Sequence, residues 1–542
     1  ASPVVIMDSM QLLNRLASHA RDRGTTTAYR MARGSSAGGA AMTELSWRQL
    51  HEAVHAWRHR FVHDAQLRPG QTILICSPNR LEVPIAILAG LSAGLRVLPV
   101  LPELSGAELK RLAEQSAASA LIGTASAIEL LAGSFRRFWN IDELSASDRP
   151  GGPPPGSGQL GSSPAPADGS DHRCRGADSS GACADNAAAC AGLLLQSSGT
   201  TGLPKLVVRR ARSLDAAALA IVRSVGFTPD DRVLATLPLS HSYGLEHGLL
   251  APVWAGSTVV LGQGLDLSVI APELGCGVTI FPAVPGIIEM LAHLPGHAPQ
   301  MPQVRRIYSA GAPLPVGVYQ SFLDRYGLPV SQLYGATEVG SVTFNDPQQP
   351  DFDPASVGQP MHGVSIRILD PSTDANAESC ANQRALAPGE QGQIAIRAES
   401  MFEGYLNEPT ILCDGYFPTG DLGRLDASGR LTITGRLKLL IDVGGLKVNP
   451  LEVESVLCEH PDVQACVVVP IRQSQTVCRL KAIAMPRDPA HPPSIQSLRE
   501  LAQQRLARYK VPRVFEIRKW LPRSPTGKVL RHLVDASRTG ES

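Results

Sequence analysis

Residues 193–205 read L-L-L-Q-S-S-G-T-T-G-L-P-K, an apolar strand that runs into hydroxyls, glycines and one ammonium. Such a loop suits a polyphosphate. Gly199 and Gly202 let the backbone approach an anion closely, Ser197, Ser198, Thr200 and Thr201 offer hydroxyl donors, and Lys205 adds a compact positive charge. The Walker A spacing is absent, and the segment alone is also readable as a polar turn. Tyr334-Gly335-Ala336-Thr337-Glu338 follows another apolar stretch. A Tyr ring can stack on a purine, a Thr hydroxyl can reach a phosphate, and a Glu carboxylate can hold Mg²⁺. Thr419-Gly420-Asp421 sets a carboxylate able to accept both hydroxyls of a ribose, although a bare Thr-Gly-Asp also makes a plain turn. Pro522-Arg523-Ser524-Pro525-Thr526-Gly527-Lys528 ends on an ammonium in a Pro/Gly loop. That charge could neutralise a carboxylate and a reacting phosphate together, or simply sit in water.

Taken in order from Leu193 to Arg531, these motifs resemble the signatures of the adenylate-forming superfamily: acyl-CoA synthetases, adenylation domains and beetle luciferases. Ser197 to Lys205 match the defining Ser-Gly-Thr-Thr-Gly-x-Pro-Lys positions without a mismatch. The resemblance implies adenine stacking by Tyr334, an α-phosphate contact by Thr337 and magnesium at Glu338. It implies adenine and acyl pocket lining by Ser309-Ala310-Gly311-Ala312-Pro313, and places Gly335 in the nucleotide site. Asp421 and Arg436 become the ribose contacts, and Lys528 the catalytic lysine. Lys438 falls at the family's interdomain hinge. Gly444, Gly445 and Lys447, in Asp442–Pro450, match the loop that builds the thiol tunnel, though paired glycines also suit a hairpin turn.

The expected activity is therefore an AMP-forming ligation. A carboxylic acid is activated by MgATP to an acyl-adenylate, then passed to the thiol of coenzyme A, with the phosphopantetheine of a carrier protein as the alternative acceptor. A luciferase-like oxygenase and a non-catalytic homologue are the distant alternatives. His241, in Pro238-Leu239-Ser240-His241-Ser242-Tyr243-Gly244, resembles the position beside the substrate carboxylate in acyl- and aryl-acid ligases, and also reads as a packed structural histidine. No acidic residue lies between Arg232 and Leu245. A buried ammonium would lack a partner there, which disfavours amino-acid substrates. His241, Gly244, Val284, Pro285 and Val342 match pocket-lining regions and imply an apolar aryl or aliphatic acyl group.

Positioning these groups calls for an α/β scaffold. From about Thr43, helical patterns (Trp47 to Ala65, Leu81 to Gly94, Ala107 to Ala117) alternate with short apolar strands (Thr72 to Cys76, Arg96 to Leu101, Ala120 to Ile122). That alternation predicts parallel strands with crossover helices. Residues 146–192 are Gly-, Pro-, Ser- and Ala-rich, and predict a disordered insertion. Strands are expected again at Arg232 to Thr236, Thr258 to Leu261, Val278 to Phe281 and Arg305 to Tyr308. Beyond Asp353, Ser365 to Leu369 and Gln393 to Arg397 predict a small β-barrel-like part. The last hundred residues predict strands at Ala465 to Val469 and Leu480 to Ala484 and a helix at Ser494 to Arg508. The expected organisation is a large N-terminal adenylation domain, 1–436, followed by a small mobile α+β domain, 437–542, on a hinge.

Composition closes off other classes. The 542 residues carry 50 Lys+Arg against 49 Asp+Glu, a net charge of +1, which argues against a nucleic-acid binder. Hydrophobic residues make up 43%, enough for a large core. No uninterrupted apolar run reaches about 18 residues, so no membrane span is expected. No secretory signal is read at the N-terminus, with Met7 or Met10 as alternative starts, and the ten cysteines form no Cys-x-x-Cys pair. A cytoplasmic location with reduced thiols follows. Cys174, Cys183, Cys190 and His172 fit no zinc spacing. Only eight of the 50 cations are Lys, and four of them (Lys205, Lys438, Lys447, Lys528) lie inside the motifs above.

Overall fold

The computed structural model describes residues 10–34, 43–131, 133–141, 191–197, 205–296, 298–371, 384–439, 441–443, 446–472, 478–523 and 529–536. Two large sheets carry the first four hundred residues. One has seven strands in the order Gly404–Tyr405, Lys205–Arg210, Gly192–Ser197, Arg96–Val100, Thr72–Cys76, Ala118–Gly123, Phe138–Asn140. The other has nine: Gln359–Pro360, Gly340–Asn345, Val330–Ala336, Arg306–Ser309, Ile280–Ala283, Arg232–Ala235, Thr258–Leu261, Thr27–Met31, Glu44–Ser46. Their central pairings are parallel, so both faces are covered and strands such as Thr72–Cys76 and Thr258–Leu261 read as continuous apolar runs. Thr72–Cys76 is buried at all five positions. The helix Glu82–Ser92 is buried along its whole length, as an all-round apolar helix must be. Its one charge, Glu82, pairs with Arg80 at 3.3 Å.

The β-rich part is a four-stranded antiparallel sheet of Val364–Leu369, Gly392–Ala398, Phe417–Leu425 and Leu431–Arg436. From residue 441 the chain builds separate apolar clusters, with Val453, Leu457, Val468, Ala482 and Leu498 in the larger one. These clusters sit on a three-stranded sheet of Val463–Arg472, Cys478–Pro486 and Val514–Ile517. The fold is thus mixed α/β with a large N-terminal and a small C-terminal domain.

Two expectations are corrected. The insertion does not extend to residue 192: Ala191 is buried and Gly192 already pairs with Arg96 and Arg210. A Cβ on Gly192 would lie 2.5 Å from the Arg209 carbonyl oxygen, so this strand can start only on a glycine. Residues 142–190, which hold the rest of that segment, lie outside the described residues. The alternation also starts earlier than Thr43, with a helix Gln11–Asp22 and the strand Thr27–Met31, whose Arg30 is neutralised by Glu273. Among the described residues no helix is long and apolar enough to cross a membrane.

Candidate active site

Tyr334, Thr337 and Glu338 stand where the parallel strand Val330–Ala336 of the nine-stranded sheet ends. Val330–Ala336 delivers Tyr334, and a register shift opposite Gly340–Asn345 falls between Tyr334 and Gly335. Such a bulge re-aims the side chains on either side of it. The Tyr334 hydroxyl donates to Asp421 Oδ2 at 2.6 Å, and burial, followed by the Asp421 charge, pushes its pKa well above the usual phenol range. Asp421 faces Arg436 across the antiparallel pair Phe417–Leu425 and Leu431–Arg436, and the Arg436 Nε donates to its other oxygen. Gly420, at φ +77°, turns the backbone so that Asp421 N–H donates to Thr419 Oγ1 at 3.1 Å. A carboxylate offers about four acceptor positions, so two remain for ribose hydroxyls.

A second group forms around Tyr405, which the sequence pattern did not single out. Its hydroxyl donates to Glu338 Oε1 at 2.9 Å. Lys205 Nζ lies 4.8 Å from the centre of its ring and pairs with Glu408. Gly404–Tyr405 is zipped to Lys205–Arg210, and this short edge strand therefore brings the phosphate-type lysine and the magnesium-type carboxylate together. Among the described residues no group of three or more His, Cys, Asp or Glu side chains could hold a metal. A hard ion at Glu338 would take its remaining oxygens from substrate phosphates and water, which is how Mg²⁺ usually binds. Thr337 and Glu338 are half-buried.

The segment expected on the acid side runs from Pro238 to Gly244. Asn79, buried and missed in the sequence, clamps this segment: its Nδ2 donates to the carbonyls of Leu237 and Gly262, and its Oδ1 accepts from Leu239 N–H at 2.9 Å. Gly244 is required, since a Cβ there would meet the Pro238 carbonyl oxygen at 2.2 Å. His241 is half-buried just before the short helix Ser242–Leu245. Tyr243 donates to the Ala283 carbonyl at 3.2 Å, next to Val284 and Pro285, which start the helix Pro285–Ala292. Val342 is fully buried, whereas Gly311 and Pro313 stand exposed at the rim and Ala312 is half-buried. Beneath lies His247, whose Nδ1 meets the Tyr308 hydroxyl at 2.7 Å and whose Nε2 meets Ser341 Oγ at 3.1 Å. Burial pushes its pKa down to about 3, so it is neutral.

The structure thus joins Tyr334, Asp421 and Arg436 directly, and Lys205 and Glu338 through Tyr405. Ser197 ends its strand with its hydroxyl 3.4 Å from the Lys205 carbonyl. The backbones of Lys438 and Lys447 fall in Leu437–Leu439 and Leu446–Val448. Ser198, Gly199, Thr200, Thr201, Gly202, Gly444, Gly445 and Lys528 lie outside the described residues. The strongest test of the Tyr334–Asp421 bond is Tyr334→Phe. Loss of a hydrogen bond to a charged group costs about 1.5–3 kcal/mol, so KM for ATP in pyrophosphate exchange should rise roughly ten- to hundredfold. An unchanged KM would show that Asp421 needs no orientation by Tyr334.

Residues 16–406 match the family model of the AMP-binding enzymes, and residues 452–528 match that of the AMP-binding enzyme C-terminal domain. A probable CoA ligase of Humulus lupulus is 29% identical over 478 residues, covering 86% of each chain. An oxalate–CoA ligase of Arabidopsis thaliana is 27% identical over 519 residues, 90% of this chain and 93% of that one. The o-succinylbenzoate CoA synthetase of Bacillus subtilis, solved with its acyl-adenylate intermediate, superposes with a TM-score of 0.77 at 25% identity. That match covers 98% of this chain and 99% of the other.

Proposed function

The chain belongs to the AMP-binding enzymes, and from that premise we propose how its residues divide the work of joining a carboxylic acid to coenzyme A. The protein is an ATP-dependent, AMP-forming acid–CoA ligase. In the first half-reaction a carboxylate oxygen of the acid attacks the α-phosphorus in line, the bond to the bridging β-oxygen breaks, and pyrophosphate leaves. In the second, the thiol sulfur attacks the acyl carbon, the bond to AMP breaks, and the thiol proton passes to solvent.

Catalysis of the first step is a matter of position and charge. Asp421 and Arg436 hold the ribose, with Tyr334 fixing Asp421 and offering its ring to the adenine. Lys205 and the loop before it hold the departing pyrophosphate, so Lys205 exchanges Glu408 for phosphate when ATP enters. Thr337 donates to the α-phosphate, and Lys528 neutralises the charge that builds there and on the attacking carboxylate. Mg²⁺ at Glu338, oriented by Tyr405, would screen charge on the phosphates. We place the domain boundary at residues 436/437, with Lys438 as the pivot. Rotation about it withdraws Lys528 and brings the Gly444-Gly445 loop and Lys447 to the same place for the thiol, since one site cannot hold both loops at once.

The single observation that carries this reading is the Tyr334–Asp421–Arg436 cluster, three residues from two sheets meeting on one carboxylate. The acid is read as aryl or aliphatic without an ammonium group. Glu246, the first carboxylate after the acid segment in the sequence, is already held by Arg209 and Ser341, and Gly244, Val284 and Val342 form apolar walls. Hydroxylamine trapping over a panel of aryl, aliphatic and amino acids tests it. Trapping is expected with some aryl or aliphatic acids and none of the amino acids, followed by thioester formation with coenzyme A. Silence across the panel from folded protein would overturn the ligase reading. Thioester only on a holo carrier protein would replace the acceptor.

A further inference from the structure

Arg209 is a charge where its strand calls for an apolar residue. In Lys205–Arg210 the side chains of Leu206, Val207 and Arg209 are buried, and Arg209 has no exposed surface at all. Its partner Glu246 is 2% exposed and begins Glu246–Leu250, a π-helical segment inserted between the short helix Ser242–Leu245 and Ala251–Ala255. Such insertions bring a side chain out of helical phase, and they recur at functional sites. The pair meets at 3.0 Å. Taking two charges out of water is expensive, and a well-packed apolar pair of similar volume usually stabilises a fold as well or better. The pair's contribution has to be sought in what it holds.

It holds a short segment between two catalytic regions. Arg209 Nη1 reaches the Thr337 carbonyl oxygen at 3.5 Å, next to Glu338. Glu246 Oε2 accepts from both the Ser341 N–H (3.0 Å) and the Ser341 hydroxyl (2.8 Å). Residues 337–341 are therefore grasped at both ends by one ion pair. Between them Gly340, at φ +79°, lies so close that a Cβ would come 2.7 Å from Glu246 Oε1 and 3.2 Å from Arg209 Nη2. Ser341 passes the contact on to His247 and, through it, to Tyr308 on the strand that leads to Gly311. At its other end Arg209 stands on the strand that begins with Lys205.

We infer that Arg209 and Glu246 are positioning residues for adenylate formation. They hold the Thr337–Glu338 segment at a fixed distance from the strand of Lys205, so that the α-phosphate donor, the metal carboxylate and the pyrophosphate lysine share one geometry. The inference rests on the proposed function, and a wild-type enzyme silent with every acid would defeat that reading rather than this one.

The test uses the full-length enzyme and an acid it accepts, and measures the half-reactions apart: ATP–pyrophosphate exchange for the first, thioester formation from synthetic acyl-adenylate and coenzyme A for the second. Arg209→Met/Glu246→Gln leaves no unpaired charge. It is expected to lower kcat of exchange about 10²-fold, the scale of an ångström-sized displacement, and to raise the Mg²⁺ concentration needed. Thioester formation should stay within about twofold, since that step handles no pyrophosphate. Arg209→Lys, which keeps the charge but not the fork, should recover part of the exchange rate. If the double variant does not fold, Ser341→Ala keeps both charges and should lower exchange alone. Exchange at the wild-type rate, or equal losses in both half-reactions, would reduce the pair to a structural element.

Discussion

Lys528→Ala should lose adenylate formation by about 10²–10³-fold, the scale of removing one charge-stabilising donor, while still turning pre-formed acyl-adenylate into thioester. The small domain explains why so much depends on one side chain. Lys528 closes the five-residue stretch 524–528, and the stretch hangs from a fixed frame. Arg523 and Val529 form a β-bridge across its neck, and Leu530 N–H donates to the Pro522 carbonyl at 2.8 Å. Arg531 grips Glu454 through its two terminal guanidinium nitrogens, with the Val468 N–H on the same carboxylate at 2.6 Å. The frame fixes where that stretch starts and ends, and on the proposed mechanism rotation of the small domain decides whether the ammonium reaches the phosphate. Rapid-quench measurement of acyl-adenylate and of thioester separates the steps. Equal loss of both would contradict the account of two alternating arrangements.

The largest stability effect is expected in the nine-stranded sheet, at the end where its parallel strands begin. Asp231, 3% exposed, accepts from the N–H and hydroxyl of Thr228, from the Thr279 hydroxyl and from two nitrogens of Arg305. These donors stand just before the strands Arg232–Ala235, Ile280–Ala283 and Arg306–Ser309, so one carboxylate ties the three where they begin. Asp231→Ala should cost about 3 kcal/mol, at the low end for a broken buried pair because Arg305 can turn to water. Burial alone would raise this carboxyl. The Arg305 fork and the Thr279 and Thr228 donors outweigh it, leaving the group below the usual carboxylate range. A depressed pKa contributes stability that is complete above the unfolded value near 3.9 and disappears as pH falls through the folded one. The urea midpoints of wild type and variant should therefore differ by a constant amount from about pH 5 upward and converge below about pH 4. KM for ATP should not move, because the catalytic groups leave the far ends of these strands. A variant as stable as wild type at pH 7 would refute the clamp.

What the sequence disclosed follows from how each feature is encoded. Parallel strands buried on both faces read as unbroken apolar runs, so Thr72–Cys76 and Thr258–Leu261 were legible to the residue. The hairpin Val463–Arg472 and Cys478–Pro486 extends past its apolar centre, and only that centre was visible. Thr27–Met31 escaped because its composition is mixed and its arginine is neutralised by Glu273, far along the chain. The site divides in the same way. Residues proposed to touch the nucleotide stand in short contiguous motifs, and Tyr334, Asp421, Arg436 and Lys205 are read from those motifs. Residues that hold those residues are not. Tyr405, Glu408, Asn79, Arg209 and Glu246 act through partners remote in sequence, and pattern does not record partners. Only Arg209 left a local trace, as a guanidinium at an inward position of a β-strand.

The start of Gly192–Ser197 against its neighbours says something about the chain's tolerance of change. The polypeptide leaves the seven-stranded sheet after its last strand, Phe138–Asn140, and re-enters four strand positions away at Gly192. Four spacings are about 19 Å, and a return along the strand direction brings the span to about 28 Å. Roughly nine extended residues cover that distance. The stretch 142–190 supplies 49. The two anchor points therefore ask for only a fraction of that length, and a chain shortened between them should keep both strands in register.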